Sequence, residues 1–199
     1  MLRKLIMVGL ISLPVVAGAT QPSFRSEGLE AGPYIGAAFG STDLNLSSTA
    51  VEGSGSKNEI GFKITGGWQF TPYFAGEIAY YNPGEFKERE GGDALKVTAD
   101  IFEASIVGSV PLAGDLLGFA RAGVAQWNGR IDATIDGESG TLKDDGTDFN
   151  WEIGLQYRFN DKFRMRAAFE QTSIDTTLAD VLPVTWRVRF YQVAAIYQF

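Results

Sequence analysis

Apolar and polar residues alternate with period two along most of this chain. Counting back from the carboxyl end, Phe199, Tyr197, Ala195, Val193 and Tyr191 fall on one face, with Gln198 and Gln192 between them. An alternation about ten residues long, apolar outside and polar inside, is what a β-strand needs to cross a lipid bilayer as part of a barrel.

Eight segments of this kind are predicted. The first, 33–46, sets Ile35, Ala37 and Phe39 against Tyr34, Gly36, Ala38 and Gly40. In the second, 58–70, Ile60, Phe62, Ile64, Trp68 and Phe70 face out and Lys63, Thr65 and Gln69 face in. The third, 74–81, turns Phe74, Ile78 and Tyr80 out and Glu77 and Tyr81 in. The fourth, 94–110, has Phe102, Ala104, Ile106 and Val110 out and Glu103, Ser105 and Val107 in. The fifth, 117–135, is the least regular: placing Arg121 inside also turns Trp127 inward and leaves Ala120, Val124 and Gln126 outside. The sixth, 149–159, opposes Trp151, Ile153, Leu155, Tyr157 and Phe159 to Glu152, Gln156 and Arg158. The seventh, 163–173, opposes Phe163, Met165, Ala167 and Phe169 to Arg164, Arg166 and Glu170, and the eighth is 184–199.

The breaks between segments alternate in length. Thr71-Pro72-Tyr73, residues 111–115 and Asn160-Asp161-Lys162 are short, whereas 47–57, 82–93, 132–148 and 174–183 are long and polar. All short turns then lie at one end, the asymmetry of outer-membrane barrels. Proline cannot donate to a strand ladder, and Pro33 opens a segment while Pro72, Pro83, Pro111 and Pro183 are expected in turns or loops.

The rival arrangement is a water-soluble barrel with the apolar face inside. Eight strands enclose little space, too little for the four to five large apolar residues that most of these segments carry. The fold expected is therefore all-β, an eight-stranded antiparallel up-and-down transmembrane β-barrel.

The amino end supports export. Arg3 and Lys4 precede an apolar run from Leu5 to Val16, and Ala17-Gly18-Ala19 offers small residues at a cleavage site, so residues 1–19 are expected to be a signal peptide and 20–199 one barrel domain. The 24 glycines among 199 residues, roughly 12% against a usual 7%, suit closely packed strands. Removing the two leader bases takes the net charge from −7 to −9, which argues against a nucleic-acid partner. There is no cysteine and no histidine, so thiol catalysis, the serine–histidine arrangement and the usual zinc ligands are excluded. No catalytic residue, metal or cofactor is expected.

The candidate interior site is a set of inward charges: Lys63, Glu77, Glu103, Arg121, Glu152, Arg158, Arg164, Arg166 and Glu170. Charges in a narrow lumen need partners, so a salt-bridge plug is expected; a gate opened by exchange of pairs and a carboxylate acid–base pair are the other readings. Arg187 and Arg189 share the lipid-facing parity above the spanning stretch and could meet lipopolysaccharide phosphates through bidentate contacts, or stand solvated at the rim. Trp68, Phe70, Tyr157, Phe159, Phe163, Tyr197 and Phe199 are expected as an aromatic girdle near the short turns. Asp132, Asp136, Glu138, Asp144, Asp145 and Asp148 are expected in a solvated loop, because their spacing does not match a calcium loop.

Four stretches resemble a known family: Tyr34 to Gly40, Gly67 to Glu77, Gly154 to Phe163, and the end Tyr197-Gln198-Phe199. They are similar to the OmpA-like eight-stranded transmembrane barrels and the related small outer-membrane proteins of the OmpX and opacity type. The resemblance implies residence in the outer membrane of a Gram-negative bacterium. It also implies an assembly signal at Tyr197 and Phe199, read by the barrel-insertion machinery after delivery by periplasmic chaperones. Members of the family often continue into a peptidoglycan-binding domain; this chain stops at the eighth strand, and no such role is expected. The expected function is structural or surface-interacting, adhesin-like, with a host or surface ligand reached through the long loops. The alternative is a narrow porin-like channel, and an enzyme is not expected.

Overall fold

A computed structural model describes residues 31–48, 56–90, 93–135, 138–178 and 182–199. The expected signal peptide, 1–19, lies outside the described residues, as does Asp136. The strands are β1 (Gly32–Ser48), β2 (Ser56–Thr71), β3 (Phe74–Asn82), β4 (Glu85–Glu90), β5 (Asp93–Ala113), β6 (Leu116–Ile135), β7 (Glu138–Arg158), β8 (Phe163–Leu178) and β9 (Leu182–Gln198). All pairings are antiparallel, and the sheet closes on itself through β1 with β9 and β3 with β5. Strands β3 and β4 pair in succession with the lower and upper parts of β5, so nine strands fill eight positions around the ring.

Parity runs as the alternation predicts. Ile35, Phe39, Phe62, Ile64, Phe102, Ile106, Ile153, Leu155 and Tyr191 are exposed, and Tyr34, Lys63, Glu77, Glu103, Glu152 and Gln192 are buried. So large an apolar band would be untenable in water; here it is the surface that meets lipid. Arg121 and Trp127 are both buried and Val124 is exposed, which fixes the register of the least regular segment as expected. Aromatic rings pair at both edges of the band: Tyr157 with Phe159 at 4.9 Å and Tyr197 with Phe199 at 5.4 Å near the short turns, Tyr80 with Phe102 at 5.2 Å and Phe169 with Tyr191 at 5.1 Å toward the other end.

The tight turns carry their own hydrogen bonds. Thr71 Oγ1 accepts from the N–H groups of Tyr73 and Phe74 at 3.2 and 3.1 Å, and Asn160 Oδ1 accepts from those of Lys162 and Phe163 at 2.9 Å each. Side chains that mimic a backbone turn in this way are why Thr and Asn stand there.

The long breaks are corrected by the structure. The expected loop 82–93 contains β4, and the expected acidic loop 132–148 is a hairpin whose ladder continues to the pair Ile135–Glu138. Strands β8 and β9 likewise pair up to Leu178 and Leu182, and β1 and β2 enter the break expected at 47–57. Above the lipid the outer face no longer needs apolar residues, so the alternation fades while the backbone ladder goes on. Pro111 and Pro183 also lie inside strands, each within two residues of a strand end, where one missing N–H disturbs the ladder least; the register of β5 with β6 shifts beside Pro111.

The extensions divide the ring. Strand β7 pairs with β8 only from the pair Asn150–Thr172 downward, and β4 makes its ladder with β5 alone. Above the lipid, β4–β5–β6–β7 and β2–β1–β9–β8 are thus two four-stranded sheets. The division begins at Pro83-Gly84: Gly84 has φ of +95°, and a side chain there would lie 2.8 Å from the Ile60 carbonyl oxygen, so glycine is required.

Polar ladders hold the first sheet together. Glu85 pairs with Lys87 at 2.6 Å and with Lys96. Asp132 accepts from Thr141 Oγ1 at 2.6 Å and from Arg130 Nε at 3.0 Å. These partners hold both carboxyls below the usual range, Lys87 and then Lys96 acting on Glu85, and Thr141 and then Arg130 on Asp132.

Two outcomes are expected. A carboxyl with a lowered pKa stabilises the folded state above its unfolded pKa and loses that contribution as pH falls through the lowered value. Amide exchange protection of 130–135 and 138–141, corrected for intrinsic rates, should therefore drop between pH 7 and pH 3, and Asp132→Asn should flatten the drop; unchanged protection would refute the ladder. A side chain at Gly40 would sit 1.9 Å from the Tyr191 carbonyl oxygen across the β1–β9 pair. Gly40→Val should cost about 3 kcal/mol or prevent folding, whereas Gly140→Ala, with nothing within 4 Å, should be nearly neutral in urea unfolding.

Candidate functional site: the barrel lumen

Three layers fill the lumen. Toward the short turns, Tyr34, Ala75, Val107, Phe119 and Ile196 form a buried apolar cluster. Toward the extracellular end, Tyr81, Ile101, Ala125, Trp127, Val188 and Phe190 form another. Between them lies a charged layer that includes Lys63, Glu77, Glu103, Arg121, Glu152, Arg166 and Glu170, each at most 7% exposed.

Arg121 on β6 is the hub. Its NH1 lies 2.9 Å from Glu103, its Nε 2.8 Å from Glu152, its NH2 3.0 Å from Glu170, and Glu77 is 4.0 Å away. The contacts to Glu152 and Glu170 are close but off-axis, without hydrogen-bond alignment, so charge holds them. Lys63 on β2 bridges Glu103 at 2.9 Å and Glu170. Arg166 on β8 donates to Glu77 at 2.6 Å and to Gln156 at 2.9 Å. Tyr34 donates to Glu77 at 2.7 Å and Gln192 to Glu170 at 3.1 Å.

The apolar layers also take part. The Lys63 ammonium sits 4.9 Å below the Tyr81 ring, which stacks on Phe190 at 4.6 Å. Arg166 lies 4.7 Å from the Phe119 ring and Arg164 5.0 Å from that of Tyr34. Such contacts strengthen when water is excluded. The long charged side chains find room because β1 and β9 present Gly36, Ala38 and Ala194 on the inner face. A cavity of about 20 Å³ remains beside those small residues, enough to hold a water.

Two of the predicted charges stand apart. Arg164 is buried but makes no ion pair among the described residues; it donates to Gln198 Oε1 at 2.9 Å. Arg158 lies outside the charged layer, at the mouth near the short turns, and pairs with Asp115 at 2.8 Å. Among the remaining candidates, Arg187 is exposed and Arg189 half-buried on the outer face of β9, and Tyr197 and Phe199 face outward. Asp132, Glu138, Asp144, Asp145 and Asp148 are distributed along the β6–β7 hairpin; Asp148 accepts from Trp127 Nε1 at 2.7 Å. No group of three or more candidate metal ligands occurs among the described residues.

Sequence reasoning missed the two apolar layers. Their signal was present in the same parity, because Phe119, Tyr81, Trp127, Val188 and Phe190 alternate with lipid-facing residues.

Removing the hub should expose how strongly the layer is linked. Arg121→Ala leaves four buried carboxylates facing two cations, and stability should fall by about 3–5 kcal/mol. Arg158→Ala, which breaks a pair at the rim, should cost less than about 1 kcal/mol. Urea unfolding in detergent micelles compares them; similar small losses at both would show that the buried charges are not coupled.

The comparisons with known proteins agree with this geometry. The model of the outer membrane protein beta-barrel domain matches residues 8–199. The structure resembles Neisserial surface protein A, with a TM-score of 0.60 and 14% identity over 85% of this chain and 99% of that one. It resembles Ail, the attachment invasion locus protein of Yersinia pestis, solved with the heparin analogue sucrose octasulfate, at 0.57 and 15% over 84% and 99%. It also resembles the outer membrane protein OprG of Pseudomonas aeruginosa, at 0.57 and 13% over 86% and 98%. Among curated proteins no sequence matches. The chain belongs to the outer membrane protein β-barrel domain family and is a closed barrel of the outer membrane.

Proposed function

We propose that this protein acts through its extracellular strands and not through its lumen, in a structural or surface-interacting, adhesin-like role. The observation that carries this reading is the filled interior: a charged layer centred on Arg121 lies between two buried apolar layers. The four pairs of extended strands give a large polar surface outside the membrane, where ligand contact costs the barrel nothing. Ail was crystallised with a sulfated saccharide analogue, which supports a surface ligand for a barrel of this shape. The buried carboxylates are taken up by Arg121, Lys63 and Arg166, which supports a non-enzymatic role.

The associated assignments follow from the same reading. Residues 1–19 act as the cleaved export signal. Tyr197 and Phe199 form the assembly signal met by periplasmic chaperones and the barrel-insertion machinery. Arg187 and Arg189, on the outer face above Tyr191, meet lipopolysaccharide phosphates.

The second reading is a narrow porin-like channel, and the small cavity along β1 and β9 is the observation that favours it. Planar-bilayer recording separates the two. The refolded parent should show no stable conductance steps, and Arg164→Ala/Arg166→Ala, which takes the closest cation from Glu77 and two long side chains from the lumen, should leak. Stable steps from the parent would overturn the closed-lumen reading.

A further inference from the structure

The outer face of the extracellular sheet β4–β5–β6–β7 places like charges opposite each other twice. Lys87 on β4 faces Lys96 on β5, and Arg130 on β6 faces Lys143 on β7. Lys96 pairs in register with Asp132 and Thr98 with Arg130, so Lys96 and Arg130 are diagonal neighbours and the four cations form one run across four adjacent strands. Directly opposed like charges destabilise a sheet, and here the cost is taken twice on one face.

The acids of this face do not cancel the run evenly. Glu85 is shared by Lys87 and Lys96, and Asp132 is held by Arg130 and Thr141. Asp100 is occupied lower down by Tyr80 Oη at 2.5 Å and Asn82 Nδ2 at 3.1 Å, and Asp145 stands beside Asn128. Lys143 has no ionic partner among the described residues. The side chains of Lys87, Lys96 and Arg130 are 59, 45 and 51% exposed, available to a ligand from outside.

Position selects the ligand. The same outward faces of β5, β6 and β7 continue downward into the lipid-exposed Phe102, Val124 and Phe149. From Phe102 to Lys96, from Val124 to Arg130 and from Phe149 to Lys143 is six residues each, about 20 Å of strand, and a tilt of about 45° puts the run roughly 14 Å above those lipid-facing residues, among the saccharide headgroups. The groups that lie against it are therefore those of the surrounding leaflet. Four cations spread over three strand spacings, about 14 Å, suit a headgroup bearing more than one phosphate, since guanidinium and ammonium groups bind phosphate strongly.

We propose that Lys87, Lys96, Arg130 and Lys143 form a docking face for a phosphorylated saccharide headgroup of the outer leaflet, distinct from Arg187 and Arg189 on β9. The inference rests on residence in the outer membrane and not on whether the lumen is closed.

The test uses the full barrel folded in neutral detergent micelles and titrated with fluorescent diphosphoryl lipid A. The variant Lys96→Gln/Arg130→Gln/Lys143→Gln should bind roughly a hundredfold more weakly, at about a tenfold loss or less per cation removed, and dephosphorylated lipid A should bind the parent as weakly as the variant binds the probe. Arg187→Gln/Arg189→Gln serves as the control and should leave the triple-variant effect in place. Unfolding temperatures of the parent and the triple variant in micelles alone should coincide, showing that the face and not the fold has been changed; if they differ, Lys143→Gln alone, which breaks no ion pair, must still weaken binding. Equal binding by parent and triple variant overturns the proposal. Sucrose octasulfate binding to this face more tightly than lipid A also overturns it, in favour of a soluble polyanion.

Discussion

A chain that crosses lipid as strands must pair its own backbone, because the hydrocarbon offers no water to any N–H or C=O left over. The β1–β9 ladder, from Tyr34–Gln198 up to Ser48–Val184, meets that requirement by joining the first strand to the last. Closure then dictates the rest. Each residue faces either lipid or a space only eight strands wide, and the parity of each strand is set by its neighbours, because a slip of one residue would exchange the two faces. Gly40 shows how tight the join is, since the carbonyl of Tyr191 occupies the place a side chain would need.

The inward face meets a second constraint. Ions withdrawn from water cost several kcal/mol each unless they are paired, and the lumen removes seven of them into one layer. Arg121 touching four carboxylates, with Lys63 and Arg166 completing the set, is the arrangement that meets that cost. The apolar layers above and below keep water away and so strengthen the attraction they enclose. Small residues on β1 and β9 and long ones elsewhere are therefore a single solution: one part of the wall is left thin so that side chains from the others can cross the barrel.

The spanning half of the fold was legible in the sequence because lipid on one side and a narrow lumen on the other impose strict alternation. Even the irregular fifth segment, with Arg121 and Trp127 on the same face, obeys it. The extracellular half was not legible. Glu85–Glu90 and Glu138–Asp148 are strands held by cross-strand polar pairs, and in water on both faces such pairs leave no hydrophobic period to read. The charges of the lumen could be named from parity, but parity carries no depth along the barrel axis. Arg158 shares the face of Glu152 yet ends beside Asp115, because three strand steps bring it to the mouth. The apolar layers were not legible for the same reason: parity puts Tyr81 and Phe190 on the inner face with the charges but does not show that they gather at one depth.

The break at Pro83-Gly84 has a consequence for how such a molecule changes over time. Below it, every strand has two neighbours, and a substitution is felt around the whole ring. Above it, the two four-stranded sheets share no ladder and little contact between β2 and β4, so a residue altered in one places little demand on the other. The exterior can thus diversify in two independent halves under pressure from whatever meets the cell surface, while the hydrocarbon-spanning girth stays fixed. The same seam makes the upper sheets natural places to graft foreign peptide segments without unsettling the barrel beneath.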